Sequence, residues 1–366
     1  MHKITDNLYA VIMAGGGGTR LWPLSRKSRP KQMLRLGSER ALFQLATDRL
    51  KQIIPDERIF VVTVNEMAAD LQKLCPEIPV ENYLLEPGPR GTAAVVGLAA
   101  AYLRNRDPHA IMAVLTADHI IENVPYFHTC LEKAVMVAQE GYLVTLGIEP
   151  TFPSTGYGYI QRGELIREID GQKVYRVLKF KEKPDEGTAR KMLAGRDHDW
   201  NSGMFIWKVN TIWEEFLRWM PELSETLTRI ESLWGDPETQ SQRDHLWLAI
   251  KPQTIDYGIM ERAKQVAVIP AVGLGWNDVG SWDSLFEVGK PDDFGNVILA
   301  NQFRGVDTKN TLVVAEDQAR LIAAIGIEDL IIIDSDDVLL ICHRSKAQEV
   351  RVLVDEMKKT GMIRFL

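Results

Sequence analysis

Along the first 150 residues, short apolar runs alternate with longer amphipathic ones. An uninterrupted apolar run bounded by turn residues marks a strand buried on both faces, whereas apolar positions three and four apart collect on one face of a helix. The runs at 8–13, 58–63, 110–116 and 142–148 predict strands, and 41–53 and 125–139 predict helices. The stretch 92–103 is so rich in Ala and other small residues that it predicts a helix packed closely against a sheet. Strand, helix, strand in this rhythm predicts an α/β architecture: an open, mostly parallel sheet with helices on both faces. Ligands of such sheets sit at the carboxyl ends of the strands. The loops after the first and fourth strands are therefore where chemistry is expected.

The middle of the chain is less regular. Strand-like pieces at 157–161, 175–181, 204–207 and 266–270 and helical ones at 210–219 and 257–263 read as a substrate half built onto the same sheet. After Gly289 the texture changes to short β-rich runs at 311–315, 321–325, 330–333 and 338–342, separated by acidic turns and followed by an amphipathic helix at 346–359. That spacing predicts a small all-β appendage, either a sandwich or a short solenoid. The expected division is 1–289 for the sheet domain and 290–366 for the appendage with its terminal helix.

Composition narrows the function. With 45% hydrophobic and 25% charged residues in 366, the chain can bury a sizeable core and is not a disordered one. The net charge of −7 lacks the basic excess of a nucleic-acid binder, so no nucleic-acid partner is expected. No apolar stretch approaches the ~18 residues of a membrane span, and the first residues are polar, unlike a signal peptide. Cys75, Cys130 and Cys342 lie far apart without CxxC spacing, so buried thiols are expected rather than zinc or disulfides. A cytoplasmic protein without a membrane partner is the expectation.

The strongest local signal is Ala14-Gly15-Gly16-Gly17-Gly18-Thr19-Arg20-Leu21-Trp22-Pro23-Leu24, followed by Arg29-Pro30-Lys31-Gln32, where the first strand should end. Consecutive glycines expose backbone N–H groups and let a polyphosphate approach without Cβ clashes. Arg20 and Lys31 add positive charge. Glycines alone would read as a surface turn; the preceding buried strand and the two cations favour phosphate. Two familiar glycine loops do not fit. A P-loop needs GxxxxGK[ST], and no Lys-Ser or Lys-Thr follows Gly18. A dinucleotide GxGxxG starting at Gly15 or Gly16 would need glycine where Arg20 or Leu21 stands.

The stretch GGGGTRLWPLSRKSRPKQ resembles the signature of sugar-nucleotide pyrophosphorylases, specifically the mannose-1-phosphate guanylyltransferases. Further matches follow in the family's order: Glu86-Pro87 with Arg90-Gly91-Thr92-Ala93, Thr116-Ala117-Asp118-His119, Gly156-Tyr157-Gly158-Tyr159-Ile160, Phe180-Lys181-Glu182-Lys183-Pro184, Trp200-Asn201-Ser202-Gly203-Met204-Phe205 and Trp276-Asn277-Asp278-Val279-Gly280-Ser281-Trp282. The similarity spans roughly residues 8 to 350. One departure is Gly91, where related enzymes usually carry Asn.

The resemblance implies a Rossmann-like three-layer α/β/α nucleotidyltransferase domain, with a mostly parallel mixed sheet, and a small β-helix-like C-terminal domain. It implies transfer of GMP from GTP to α-D-mannose 1-phosphate, giving GDP-mannose and pyrophosphate. The attacking group is a phosphate whose second pKa is about 6, already ionised at neutral pH, so no general base is needed. The obstacle is repulsion between two polyanions, which positioning and charge neutralisation overcome. Arg20, Lys31, Asp118 and Asp278 are the expected catalytic residues. Gly15, Gly16, Gly17, Gly18, Thr19, Arg20, Lys31, Glu86, Pro87, Gly91, Thr92 and Asp118 are expected at the nucleotide. Gly158, Glu182, Lys183 and Asn201 are expected at the sugar phosphate.

Mg²⁺ is the implied cofactor, held by Asp118 and Asp278; two carboxylates completed by phosphate oxygens and water suit that ion. Taken alone, Asp118 reads equally as a helix N-cap and Asp278 as a turn-forming Asx residue. His119 is read as a structural neighbour, since no proton transfer is required. Near Glu86 a carboxylate or a backbone carbonyl would accept from guanine N1–H and N2–H₂. Glu182-Lys183 alone would read as an exposed hairpin and Asn201-Ser202-Gly203 as a turn. Trp200, Trp207, Trp213 and Trp219 are read mostly as core.

The same chemistry on glucose or heptose 1-phosphate is the alternative, and a non-catalytic GDP-mannose-binding regulator is a more distant one. A homodimer is expected, and by analogy the appendage has a docking or oligomer-forming role. No second, isomerase domain like that of the longer bifunctional relatives is expected in this length.

Overall fold

The computed structural model describes residues 6–16, 18–317 and 319–366, with Thr19 described by its backbone alone. The chain packs as two compact units. One is built from the described residues up to Gly15 with Thr47–Ala117 and Ile121–Trp276; the other comprises Gly16–Ala46, Asp118–Ile120 and Asn277–Leu366.

The first unit holds a nine-stranded sheet. Its strands are β1 (Leu8–Met13), β2 (Ile59–Val64), β3 (Tyr83–Glu86), β4 (Ile111–Thr116), β5 (Leu143–Ile148), β6 (Tyr159–Ile169), β7 (Gln172–Lys181), β8 (His198–Lys208) and β9 (Val266–Pro270). They lie in the order β3-β2-β1-β4-β8-β5-β9-β7-β6. The pairs among β1 to β4 and the β5–β9 pair are parallel. Between β4 and β5, β8 runs antiparallel; beyond β9, β7 pairs antiparallel to β9 and β6 antiparallel to β7.

The strands seen as solid apolar runs are those buried on both faces: β2 and β5 are buried at every position. Strands β6 and β7 extend beyond the expected segments at 157–161 and 175–181. Much of their length is half-buried or exposed, and such strands need no apolar run. The same segment contains two helices that the pattern did not give, Pro221–Glu231 and Gln240–Leu248.

The helix Thr92–Arg106 shows why small residues are concentrated there. Ten of its residues are buried, from Ala93 to Leu103. A Cβ added at Gly97 would fall 2.4 Å from Leu227 Cδ1 on the helix Pro221–Glu231. Trp200, Trp207 and Trp213 are core residues as expected, with Trp207 stacked on Phe205 at 5.4 Å. Trp219 is only half-buried and donates its indole N–H to Glu215 Oε2 at 2.8 Å.

In the second unit, Val297–Leu299, Leu312–Ala315 and Leu330–Asp334 stack in parallel, and Phe303–Val306 pairs in parallel with Ile322–Ile325. Parallel neighbours joined by a return strand are the signature of a coil, so the appendage is a short solenoid and not a sandwich. Leu339–His343 closes one sheet antiparallel. The apolar interior of this coil (Leu312, Val314, Ile331, Ile333) belongs to one cluster with Leu21, Trp22, Leu24, Leu34 and Trp282. Trp282 also donates its indole N–H to the Trp22 carbonyl at 2.9 Å.

Three expectations shift in detail. The helix expected at 41–53 stops at Asp48. The last helix begins as a 3₁₀ segment, Arg344–Glu349, before Val350–Lys359. Cys75 and Cys130 are buried free thiols, but Cys342 is only half-buried. Among the described residues, no helix is long and apolar enough to cross a membrane.

Candidate active site

Each unit carries one group of the residues singled out by sequence. In the second unit the glycine turn closes over Lys31. Gly18 has φ +53°, and a Cβ there would lie 2.5 Å from Lys31 Cβ and 3.0 Å from Ser25 Oγ. Gly16 has φ +119°, a conformation few other residues adopt. Gly17 lies outside the described residues, as does the Thr19 side chain. Arg20 is exposed in the 3₁₀ turn Thr19–Leu21.

Lys31 is the hub of this group. Its residue is buried, yet its ammonium donates to Asp118 Oδ2 at 2.7 Å and to the main-chain carbonyl of Asp278. Burial opposes ionisation of Asp118, but the Lys31 charge, the adjacent His119 and the Lys31 hydrogen bond outweigh it and hold the carboxyl below its ordinary range. His119 Nε2 stands 3.8 Å from Asp118 Oδ1, in keeping with a structural neighbour.

Asp118 is not a helix cap: the cap of Val124–Ala138 is Asn123, whose side chain accepts from Tyr126 N–H at 3.2 Å. Asp278 does form the Asx turn, accepting from Gly280 N–H at 3.1 Å. An ammonium thus already sits against both aspartate residues. Among the described residues, no cluster of three or more His, Cys, Asp or Glu forms an all-protein cage. Two hard oxygen donors, one held ionised, nevertheless fit Mg²⁺, which keeps water and substrate oxygens in most of its positions.

The first unit carries the other residues. Glu86 ends β3 and is 2% exposed. A Cβ on Gly15 would fall 3.1 Å from its Oε1. Its Oε2 is buried with no hydrogen-bond partner among the described residues. Burial pushes this carboxyl up to about 7, against the opposing Arg90 backbone N–H and charge. Pro87 lines a cavity of about 600 Å³ with Leu85, Tyr102 and Trp247.

The segment after β3 is clamped by a distant stretch of chain. Trp247 donates to the Gly88 carbonyl at 2.7 Å, and Arg90 donates to the Leu248 carbonyl. Thr92 Oγ1 accepts from Ile255 N–H at 2.9 Å. Ala93 N–H donates to the Gln253 carbonyl at 3.1 Å. Gly91, at φ +83° and ψ 163°, packs so tightly that a Cβ would lie 2.3 Å from Gln253 O. Any side chain here, Asn included, would meet the Gln253 main chain. Gly91→Ala is expected to cost on the order of 2–3 kcal/mol, because an essentially Gly-only conformation and a backbone clash coincide; urea unfolding measures it, and a change below about 0.5 kcal/mol would refute the packing argument.

The sugar-side residues also meet in this unit. A Cβ on Gly158 would fall 2.3 Å from Glu182 Oε2 and 3.2 Å from Asn201 Cβ, while Asn201 N–H donates to the Gly158 carbonyl at 2.8 Å. Lys183, at φ +44°, places its ammonium 3.2 Å from Glu182 Oε1. Asn201 brings in a residue that the sequence did not suggest: its Nδ2 donates to Asp256 Oδ1 at 2.9 Å. Burial first, and the Glu182 charge second, push Asp256 up to about 7. Asp256 opens a π-helical turn, Asp256–Met260, a form that recurs at functional sites. No local motif marks it; the run Thr254-Ile255-Asp256-Tyr257 offers only an acid at the head of an expected helix. Residues 253–256 thus touch both the segment around Gly91 and the group around Asn201.

The chain is similar to known proteins over nearly its whole length. The nucleotidyl transferase family matches residues 9–293, and the MannoseP isomerase/GMP-like beta-helix domain matches 302–357. A mannose-1-phosphate guanylyltransferase of Escherichia coli is 35% identical over 98% of this chain and 77% of its own length. One from Salmonella typhimurium is 36% identical over 97% of this chain and 74% of its own. A crystal structure from Thermus thermophilus, described as a mannose-1-phosphate geranyltransferase, superposes with a TM-score of 0.85 at 32% identity, covering 96% of this chain and 99% of the other. The chain belongs to the nucleotidyl transferase family, among its mannose-1-phosphate guanylyltransferases.

Proposed function

We propose that this enzyme transfers GMP from GTP to α-D-mannose 1-phosphate, releasing pyrophosphate and forming GDP-mannose. The observation that carries the mechanism is the Lys31 ammonium held against Asp118 and the Asp278 carbonyl beneath the Gly18 turn. A buried cation beneath a glycine turn suits a polyphosphate.

In this reading, the glycine turn, Arg20 and Lys31 bind the triphosphate and spread its charge. Gly158, Glu182, Lys183 and Asn201 bind the sugar phosphate, and Glu86 through Thr92 read the base. Lys31 exchanges part of its contact with Asp118 for a phosphate oxygen as the nucleotide enters. Asp118 and Asp278 would hold Mg²⁺, which when bound supplies positive charge to the phosphates. The sugar phosphate attacks the α-phosphorus already ionised, so His119 moves no proton. The catalytic residues fall within 1–289, and the coil within 290–366 joins two copies into a homodimer, a state that light scattering of the intact chain reads directly.

A pyrophosphate-release assay across mannose, glucose and heptose 1-phosphates with GTP and ATP tests the assignment. The expected result is highest kcat/KM with mannose 1-phosphate and GTP. Preference for another sugar would move the substrate assignment, and no turnover with any pair would favour a binding-only regulator.

A further inference from the structure

The Asn201 amide is almost fully engaged within the protein. Its Oδ1 accepts from Gly203 N–H at 3.1 Å, and the Thr145 hydroxyl, whose one proton is shared with the Met204 carbonyl at 3.1 Å, lies 3.3 Å from the same oxygen. Its Nδ2 donates one hydrogen to Asp256 Oδ1 at 2.9 Å. A primary amide has two acceptor lone pairs and two donor hydrogens. One of the two hydrogens is used on Asp256, so one N–H remains for a ligand. The Glu182 carboxylate, across Gly158 from Asn201, offers only acceptors when ionised. A donor on one side of Gly158 and an acceptor on the other match a hydroxyl, which both accepts and donates.

The Gly203 N–H sets which end of the amide is the oxygen; an acceptor at Nδ2 holds the amide plane in place. Gly203 N–H binds the oxygen end; at the nitrogen end the acceptor is Asp256. Its position at the head of a π-helical turn, with Glu261 N–H donating to its carbonyl at 2.9 Å, keeps this carboxyl facing Asn201.

We propose that Asp256 is a positioning residue of the sugar subsite, fixing the Asn201 amide so that one N–H is left for a sugar hydroxyl, and thereby helps determine which sugar 1-phosphate is accepted. The inference rests on the reading above that Asn201 and Glu182 bind the sugar.

The test pairs enzyme variants with 2-, 3- and 4-deoxy-mannose 1-phosphates in the pyrophosphate-release assay. The parent enzyme is expected to lose about 30- to 100-fold in kcat/KM on the analogue lacking the recognised hydroxyl, because a site group is left unpaired. In Asp256→Ala that penalty is expected to shrink to a few-fold, with KM for mannose 1-phosphate raised about tenfold and KM for GTP unchanged. Asp256→Asn, which keeps an oxygen able to accept from Asn201, is expected to restore the penalty. Should Asp256→Ala not fold, Asp256→Ser, polar but too short to reach the amide, supplies the same comparison. An undiminished penalty in the Ala or Ser variant would overturn the role of Asp256 alone. A parent enzyme indifferent to all three deoxy sugars would overturn the sugar-subsite reading itself.

Discussion

Asp118→Asn is expected to lower turnover by about 10²- to 10³-fold, the usual loss when one member of a preorganised electrostatic group is removed. Two effects add. The substitution removes a negative oxygen donor from the proposed cation site, and it removes the carboxylate that Lys31 meets at 2.7 Å. With only the Asp278 carbonyl and a neutral amide as partners, the ammonium loses its fixed position. Lys31→Met removes the other half of the pair and is expected to cost a similar factor, with far less than additive loss in the double variant because the two residues act as a unit. Steady-state kinetics of the three variants checks this; near-normal Asp118→Asn turnover would end the assignment.

Stability should change much less, by about 1–2 kcal/mol, since the pair is only partly buried. The Asp118 carboxyl is held below its ordinary range. Its contribution is therefore present above the unfolded-state value of about 4 and is lost as pH falls through the lower folded value.

Glu86→Gln is expected to have the opposite pH signature. In the folded protein this carboxyl titrates at about 7 instead of 4.5. Between those values the folded state holds a proton that the unfolded state has released, so stability falls as pH rises through the window. The shift corresponds to about 3 kcal/mol at pH 8, absent at pH 4. Gln carries no such burden. Relative to the parent, Glu86→Gln should gain about 3 kcal/mol between pH 4 and pH 8, on top of any constant cost of burying the amide. Urea unfolding at the two pH values checks this, and a pH-independent difference would refute it.

The same group tests base recognition. If the side chain accepts from guanine as a carboxylate, GTP binding must drive off its proton. KM for GTP should then fall as pH rises from 6 towards 8, and lose that slope in Glu86→Gln. A parent KM without the slope would assign the readout to the main chain. Keeping a carboxyl buried with one oxygen unpartnered among the described residues is the kind of stability cost that functional sites carry.

What the sequence determined by itself was whatever depends on neighbours along the chain. Strands β1, β2, β4, β5 and β9 were legible because burial on both faces demands unbroken apolar runs. The glycine turn was legible because backbone exposure needs several glycines in succession. Even the Asx turn at Asp278 was legible, since its acceptor and donor lie two residues apart.

The tertiary structure decided whatever depends on residues far apart meeting. Lys31 is 87 residues from Asp118 and 247 from Asp278, and only packing turns an expected free phosphate clamp into an ion-paired hub. The burial of Glu86 was not legible, because the end of its strand is covered by other parts of the fold, which no local window contains. The long, half-exposed β6 and β7 were under-read for lack of an apolar run. Asp256 was missed altogether: one carboxylate 55 residues from Asn201 carries no local signal, and its chemistry exists only once the fold sets it beside that amide. The coil was an open choice for a related reason, because parallel and antiparallel pairing of short strands use the same residues and differ only in the path of the chain between them.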